Sequence, residues 1–387
     1  MRFREFNKTE ILDEGGKSGP IRYNSEVGML AGFCGVDPNT FDPKNPADPN
    51  TGIASSLLGR PDQVYKDIKN LVAPNFDVNI FAKWADIGKS FQQAMSVKLN
   101  QLGTTVTSYG WAGGANIASG VADIAFEGSA VAGVSIKAEG GITLANLTPK
   151  VLGLTPERGS DIFYHYAQAE YVEMKSKIFN DVLELAKQQP GQALDPMKQG
   201  KYTITYDQAT DQFTCTGKKT ITATADKILG AVAKNAKWQR VFGDWFQANW
   251  ASKKAYAQPL YEKLASVFEK TIESSLVEEG KLSTILRFGK VPYFYATPTN
   301  LYFVPSIDTM GDLQVMGLKY GRITQDGVQA ADGTSQLFVA QIGVQGSKDF
   351  AELDIYIRYA NGMFESNPTV RIQNLRNPQF ISWEQLV

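Results

Sequence analysis

From Thr104 to Ile142 the chain leaves helical periodicity for short apolar runs rich in Val, Thr, Ile and Gly, and this stretch most narrows what it can fold into. Such runs are the pattern of successive buried strands. Stretches with helical spacing lie on both sides, so the sheet must be covered by helices, which predicts an α/β fold. Upstream, Asn24 and Ser25 offer a helix N-cap before the apolar run Val27 to Phe33. Phe81, Trp84, Ile87, Phe91 and Met95 then recur every three or four residues. Between these helices, Asp37 to Pro61 is dense in Pro, Asp, Asn and Gly and predicts an ordered loop.

Downstream of Gly140-Gly141, residues 156–188 predict one long amphipathic helix with Tyr164, Ala167, Tyr171, Met174, Ile178 and Leu183 on its apolar side. Residues 201–223 alternate on either side of Asp207 to Asp211 and predict a β-hairpin. Helical spacing follows to about residue 286, then strand-like runs at Tyr293 to Val304, Leu337 to Val344 and Leu353 to Tyr359. Pattern therefore divides the chain into residues 1–200, with N-terminal helices and the sheet; 201–290, a hairpin and helical elaboration; and 291–387, a β-rich region.

With 387 residues, 43% hydrophobic and 20% charged, the chain can bury a sizeable core and lies outside the disordered class. Lys and Arg number 39 against 40 Asp and Glu, so nucleic-acid binding would need a local basic patch. Cys34 and Cys215 lie far apart, with no Cys or His partner at metal-ligand spacing, which argues against a zinc ribbon or a disulfide framework. The first residues interleave charges with aromatics and lack the apolar segment of a secretory signal. No run of 18 apolar residues suggests a membrane span. These features place the chain in a reducing cytoplasm or in a particle assembled there.

Chemistry concentrates in two strand-like runs, Val121 to Phe126 and Val134 to Ala138, joined by Glu127 to Gly133. Side chains alternate along a strand, so Ser135 and Lys137 share one face while Val134 and Ile136 take the other. If the two runs pair as a hairpin, Asp123 comes beside Lys137. An acid and a lysine on a buried sheet face are costly unless they pair or bind a metal. Phosphodiester hydrolysis calls for a carboxylate holding Mg²⁺, a backbone carbonyl such as that of Ile136, and a lysine near the attacking water.

Asp123 followed by Ser135-Ile136-Lys137 resembles the PD-(D/E)XK nuclease superfamily, in which an Asp at a strand start precedes an acid, any residue and a Lys on the next strand. Ser135 departs from that pattern by standing where the family has Asp or Glu. The resemblance implies that a carboxylate is recruited from a helix, and Glu26 is the candidate. Restriction-endonuclease-like proteins of tailed bacteriophages share the wider pattern, over roughly residues 20–190 and Ile355 to Gly362. It implies a restriction-endonuclease-like mixed sheet flanked by helices and DNA cleavage dependent on Mg²⁺ or Mn²⁺. Asp123, Glu26 and the Ile136 carbonyl would hold the metal, Ser135 would hydrogen-bond within the site, and Lys137 would orient water or offset developing charge. Partners would be DNA and a phage particle or a second copy of the chain. Its place would be the cytoplasm of a bacterial host or a virion.

Plainer readings compete. Asp123 and Lys137 would equally suit a structural ion pair, and Glu26 a first-turn residue facing the helix dipole. Glu139 is a further acid, better placed in a turn. Lys234, Lys237 and Arg240 with Trp238, Trp245 and Trp250 could grip a nucleic-acid backbone, but such spacing more often marks a helix burying its tryptophans. Gly15 to Ser18 lacks the first glycine of a phosphate loop, whose place Ile11 takes. His165, the sole histidine, predicts no triad. Two rival functions remain open. One is a binding or virion protein that keeps the fold without activity; the other is an assembly protein docking through apolar edges between residues 291 and 359.

Overall fold

The computed structural model describes residues 19–111, 122–137, 142–156, 161–232, 234–309, 311–324, 327–329, 331–332, 335–359, 363–364 and 367–387. Glu139 and the Gly15 to Ser18 run lie outside them.

Two long helices, α1 (Gly19–Phe33) and α2 (Val78–Gln101), form one layer. Every residue of α1 from Asn24 to Phe33 is buried, and small residues at the crossing make this possible. A Cβ on Gly28 would lie 2.5 Å from the Phe81 carbonyl oxygen, and one on Gly32 only 2.2 Å from that of Ala85. The two backbones touch where side chains would otherwise hold them apart.

Helix α1 begins at Gly19, one turn before the expected cap. Asn24 lies inside it, donating to Pro20 O at 2.7 Å and Asn75 O at 2.9 Å, and accepting the Asp77 N–H at 3.0 Å. Its amide thus ties α1 to the start of α2, where Asp77 is the residue that caps the Asn79 and Ile80 N–H groups. In the intervening loop, Asp37, Asp42 and Asp48 each accept an N–H two residues on, at 2.8–3.0 Å, as Asx turns do.

Against this layer packs a six-stranded sheet in the order β1 (Ser108–Trp111), β2 (Ile124–Glu127), β3 (Gly133–Ile136), β5 (Tyr293–Ala296), β6 (Leu301–Val304) and β11 (Glu384–Gln385). The expected hairpin is present, with Ile124 opposite Val134 and Ala125 opposite Gly133. Gly133 has φ +144°, and a Cβ there would lie 2.0 Å from the Ile124 carbonyl oxygen, so a larger residue would force the two strands apart. Strands β3 and β5 run parallel and their neighbours antiparallel, which makes the sheet mixed. Both faces are covered. Phe294, Ala296, Leu301 and Phe303 join the α1 and α2 core, whereas Tyr293, Tyr295, Tyr302 and Val304 join a second core, hence the uninterrupted apolar runs of β5 and β6.

That second core is shared with a β-rich C-terminal sheet ordered β7 (Leu313–Tyr320), β8 (Ser335–Val344), β9 (Ala351–Arg358), β10 (Thr369–Arg376) and β4 (Thr143–Leu147). Strands from residues 291–387 therefore enter both sheets. Residues 201–223 form the expected hairpin, Thr203–Asp207 with Gln212–Thr216, inside a separate four-stranded sheet.

The single helix expected over residues 156–188 is two, Ile162–Tyr166 and α3 (Gln168–Lys187), because Ala167 leaves helical backbone at φ −150°. This bend lets Phe163 enter the core edge-on to Tyr261 and Tyr359. On helix α4 (Ala236–Ala248), Trp238 and Trp245 are buried, and Trp250 packs on the same core. Burial of Trp238 and Trp245 removes most of the aromatic stacking face that a nucleic-acid grip would require, and Trp250 is half-buried. The protein is thus a mixed α/β structure with a β-rich C-terminal region. Among the described residues no helix is long and apolar enough to cross a membrane.

Candidate functional site at the strand ends

Because β1, β3 and β5 run in one direction, their carboxyl ends lie at the same end of the sheet. Trp111 ends β1, Asp123 immediately precedes the antiparallel β2, and Lys137 follows β3. In open α/β sheets this end is where ligands bind. Strand pairing continues to the boundary, with Asp123 N–H donating to Val134 O at 2.8 Å and Lys137 N–H to Ala296 O at 2.9 Å.

Asp123 turns its carboxylate back onto β3. Oδ2 accepts the Ile136 N–H at 2.6 Å and the Ser135 hydroxyl at 3.3 Å. The N–H and C=O of one residue in a strand point to the same side, so the Ile136 carbonyl faces the side on which Asp123 stands. Ser135 is buried, and its hydroxyl supports Asp123 without adding charge. Lys137 is half-buried and makes no ion pair with Asp123, so the structural-pair reading of these two residues does not hold.

Glu26 reaches this place from the middle of α1. It is 1% exposed, and it stands in the second turn of the helix rather than the first. Oε1 accepts from Arg22 Nε at 2.7 Å, and Oε2 accepts from the Trp111 indole N–H at 2.8 Å. Burial, and then the charge of Asp123, push the Glu26 carboxyl up to about 7, although Arg22 and Trp111 pull the other way. Two carboxylates from distant parts of the chain are therefore close enough to oppose each other's ionisation. Burial also opposes the charge of Arg22, but Glu26 and then Asp123 outweigh it and hold the guanidinium above its ordinary value.

Arg22 and Trp111 are the residues that sequence reasoning missed. The Arg22–Glu26 spacing of four on a helix was a usable signal. Trp111 carried none, since its partner is 85 positions away.

The donor set fits a hard divalent cation. Each Glu26 oxygen accepts one N–H and keeps a lone pair, and Asp123 Oδ1 has no hydrogen bond among the described residues. Mg²⁺ and Mn²⁺ take carboxylate, carbonyl and water oxygens, and a cation would relieve the repulsion between the two acids. Among the described residues no cluster of three or more His, Cys, Asp or Glu is present, so the protein's share would be two carboxylates and a carbonyl. Comparison with protein-family models, curated proteins and solved structures gives no match to this chain.

Proposed function

We propose that the protein is a Mg²⁺- or Mn²⁺-dependent nuclease of the restriction-endonuclease-like type that hydrolyses DNA phosphodiester bonds. One observation carries this reading: Trp111, which ends β1 opposite Ile124, holds the Glu26 carboxylate of α1 at 2.8 Å, and Asp123, next to Ile124 at the carboxyl ends of the parallel strands, is close enough to raise that carboxyl. A bound divalent cation would supply charge at the phosphoryl oxygen and a more acidic water. Asp123, Glu26 and the Ile136 carbonyl would hold it. Ser135 fixes the Asp123 carboxylate, and Trp111 and Arg22 fix that of Glu26. Lys137 would supply an ammonium to orient the water or offset the charge that develops on the phosphate.

A non-catalytic DNA-binding or virion role is the second reading, favoured by Ser135, which puts a hydroxyl where a charged ligand would strengthen the site. Docking through an apolar edge has less support, because Met316 is the large hydrophobic more than a third exposed among the described residues from 291 to 359. Incubating plasmid and single-stranded DNA with Mg²⁺ or Mn²⁺ separates these readings. Metal-dependent cutting lost in Asp123→Asn and Lys137→Ala supports the nuclease; DNA binding without cutting supports the second reading.

A further inference from the structure

At the same end of the sheet, the turn joining β5 to β6 opens onto a cleft of about 430 Å³. Thr297, Asn300 and Tyr302 line one wall, and Asn374 and Arg376 of β10 line the other. Its volume lies in the range of ligand pockets, roughly 300–1,000 Å³. The cleft adjoins the site through the strand ladder, since Lys137 N–H donates to Ala296 O and Thr297 N–H to Asn300 O, both at 2.9 Å. From Asp123 to β6 is three strand spacings, roughly 14 Å, a distance that a short stretch of single strand can bridge.

The lining argues against phosphate. Arg376 is its one charged group, and Glu352 and the fully buried Asp354 hold that guanidinium through contacts of 3.0–3.1 Å. Two carboxylates behind one arginine leave no net attraction for an anion. Asn374 gives its amide N–H to Asp354 at 2.9 Å and the Thr297 hydroxyl is taken up by the Asn300 carbonyl, so what remains is the Asn300 amide and the Tyr302 ring with apolar Ile142 and Leu375, groups that suit an uncharged planar heterocycle with a hydrogen-bonding edge. Asn300 is positioned for such a contact. Its turn is held by its backbone N–H on Thr297 Oγ1 at 3.0 Å, and its side-chain N–H groups have no partner among the described residues.

Resting on the nuclease reading, we propose that this cleft takes an unpaired nucleobase of the strand being cut, a short stretch along from the scissile phosphate, so that the substrate is a single strand or a duplex with one base turned out. A base can enter only once it has left its pair, and that gives the enzyme its substrate preference.

The test is a fluorescence-anisotropy titration with Ca²⁺ in place of Mg²⁺ to hold back cutting. Three probes are used: a short single-stranded oligonucleotide, a strand of equal length made of abasic sugars, and a blunt duplex. The native chain is expected to favour the single strand. Asn300→Ala should weaken that complex about tenfold and leave the abasic strand unaffected, given the usual worth of a side-chain contact to a base. Asn300→Asp, equal in shape but stripped of its donors, should change which base is preferred. Circular dichroism checks folding, and the Asn300 side chain does not hold the turn. Equal weakening on both strands, or none, overturns the base cleft. Tight binding and cutting of the blunt duplex overturns it while leaving the nuclease intact. Neither binding nor metal-dependent cutting of any DNA removes both.

Discussion

Glu26 is held as a buried acid whose protonation the protein can feel. Its folded value, about 7, stands above the ordinary carboxylate value of 4.5, so the folded state prefers the protonated form. Stability from this group is full below about 4.5 and is lost as pH rises to about 7, by as much as roughly 3 kcal/mol. Glu26→Gln should remove that dependence, so its melting temperature relative to the native chain should climb between pH 5 and 8 when metal is absent; parallel curves would show that Glu26 does not titrate there. Trp111→Phe keeps the ring and removes the N–H to Glu26. It should cost about 1–3 kcal/mol in denaturant titrations, more at pH 8 than at pH 5, because the ionised carboxylate loses most from it. Lys137→Ala should fold normally and lower single-turnover cleavage by about a hundredfold or more.

Helix α1 can bring a carboxylate to the strand ends only because it lies directly on α2. Gly32→Ala would place a Cβ 2.2 Å from the Ala85 carbonyl oxygen and should cost about 1–3 kcal/mol in denaturant unfolding, with metal-dependent stabilisation falling alongside as Glu26 shifts. At this scale the β2–β3 hairpin was legible, since Asp123 and Ser135-Ile136-Lys137 declare themselves by alternation over a few residues. The start of α1 was not, because Asn24 spends its amide on Asn75 and Asp77, fifty positions away. Nor was the break at Ala167, which answers to where Phe163 must pack rather than to any local breaker. Local pattern thus reached the half of the candidate site that is built from neighbours in sequence.

At the scale of the molecule, the long segment between β3 and β5 returns the chain to the sheet it left, so that residues 293–296 lie parallel to residues 133–136. The runs at Tyr293 to Val304, Leu337 to Val344 and Leu353 to Tyr359 were legible, although the first holds two strands and β7 and β10 went unread; the allotment to two sheets was not, because a strand buried on both faces carries no mark of which core it serves. The outcome gathers Glu26, Asp123, Lys137 and the β5–β6 cleft at one end of the main sheet. If Glu26 and Asp123 form one metal centre, calorimetric titration with Mn²⁺ should register it. The native chain should bind with release of protons near pH 7, as Glu26 ionises; Lys137→Ala should bind as the native chain does, and Glu26→Gln and Asp123→Asn should each lose most of the affinity. Mn²⁺ binding unchanged in both carboxylate variants, or no binding by the native chain, would rule out a metal centre shared by Glu26 and Asp123.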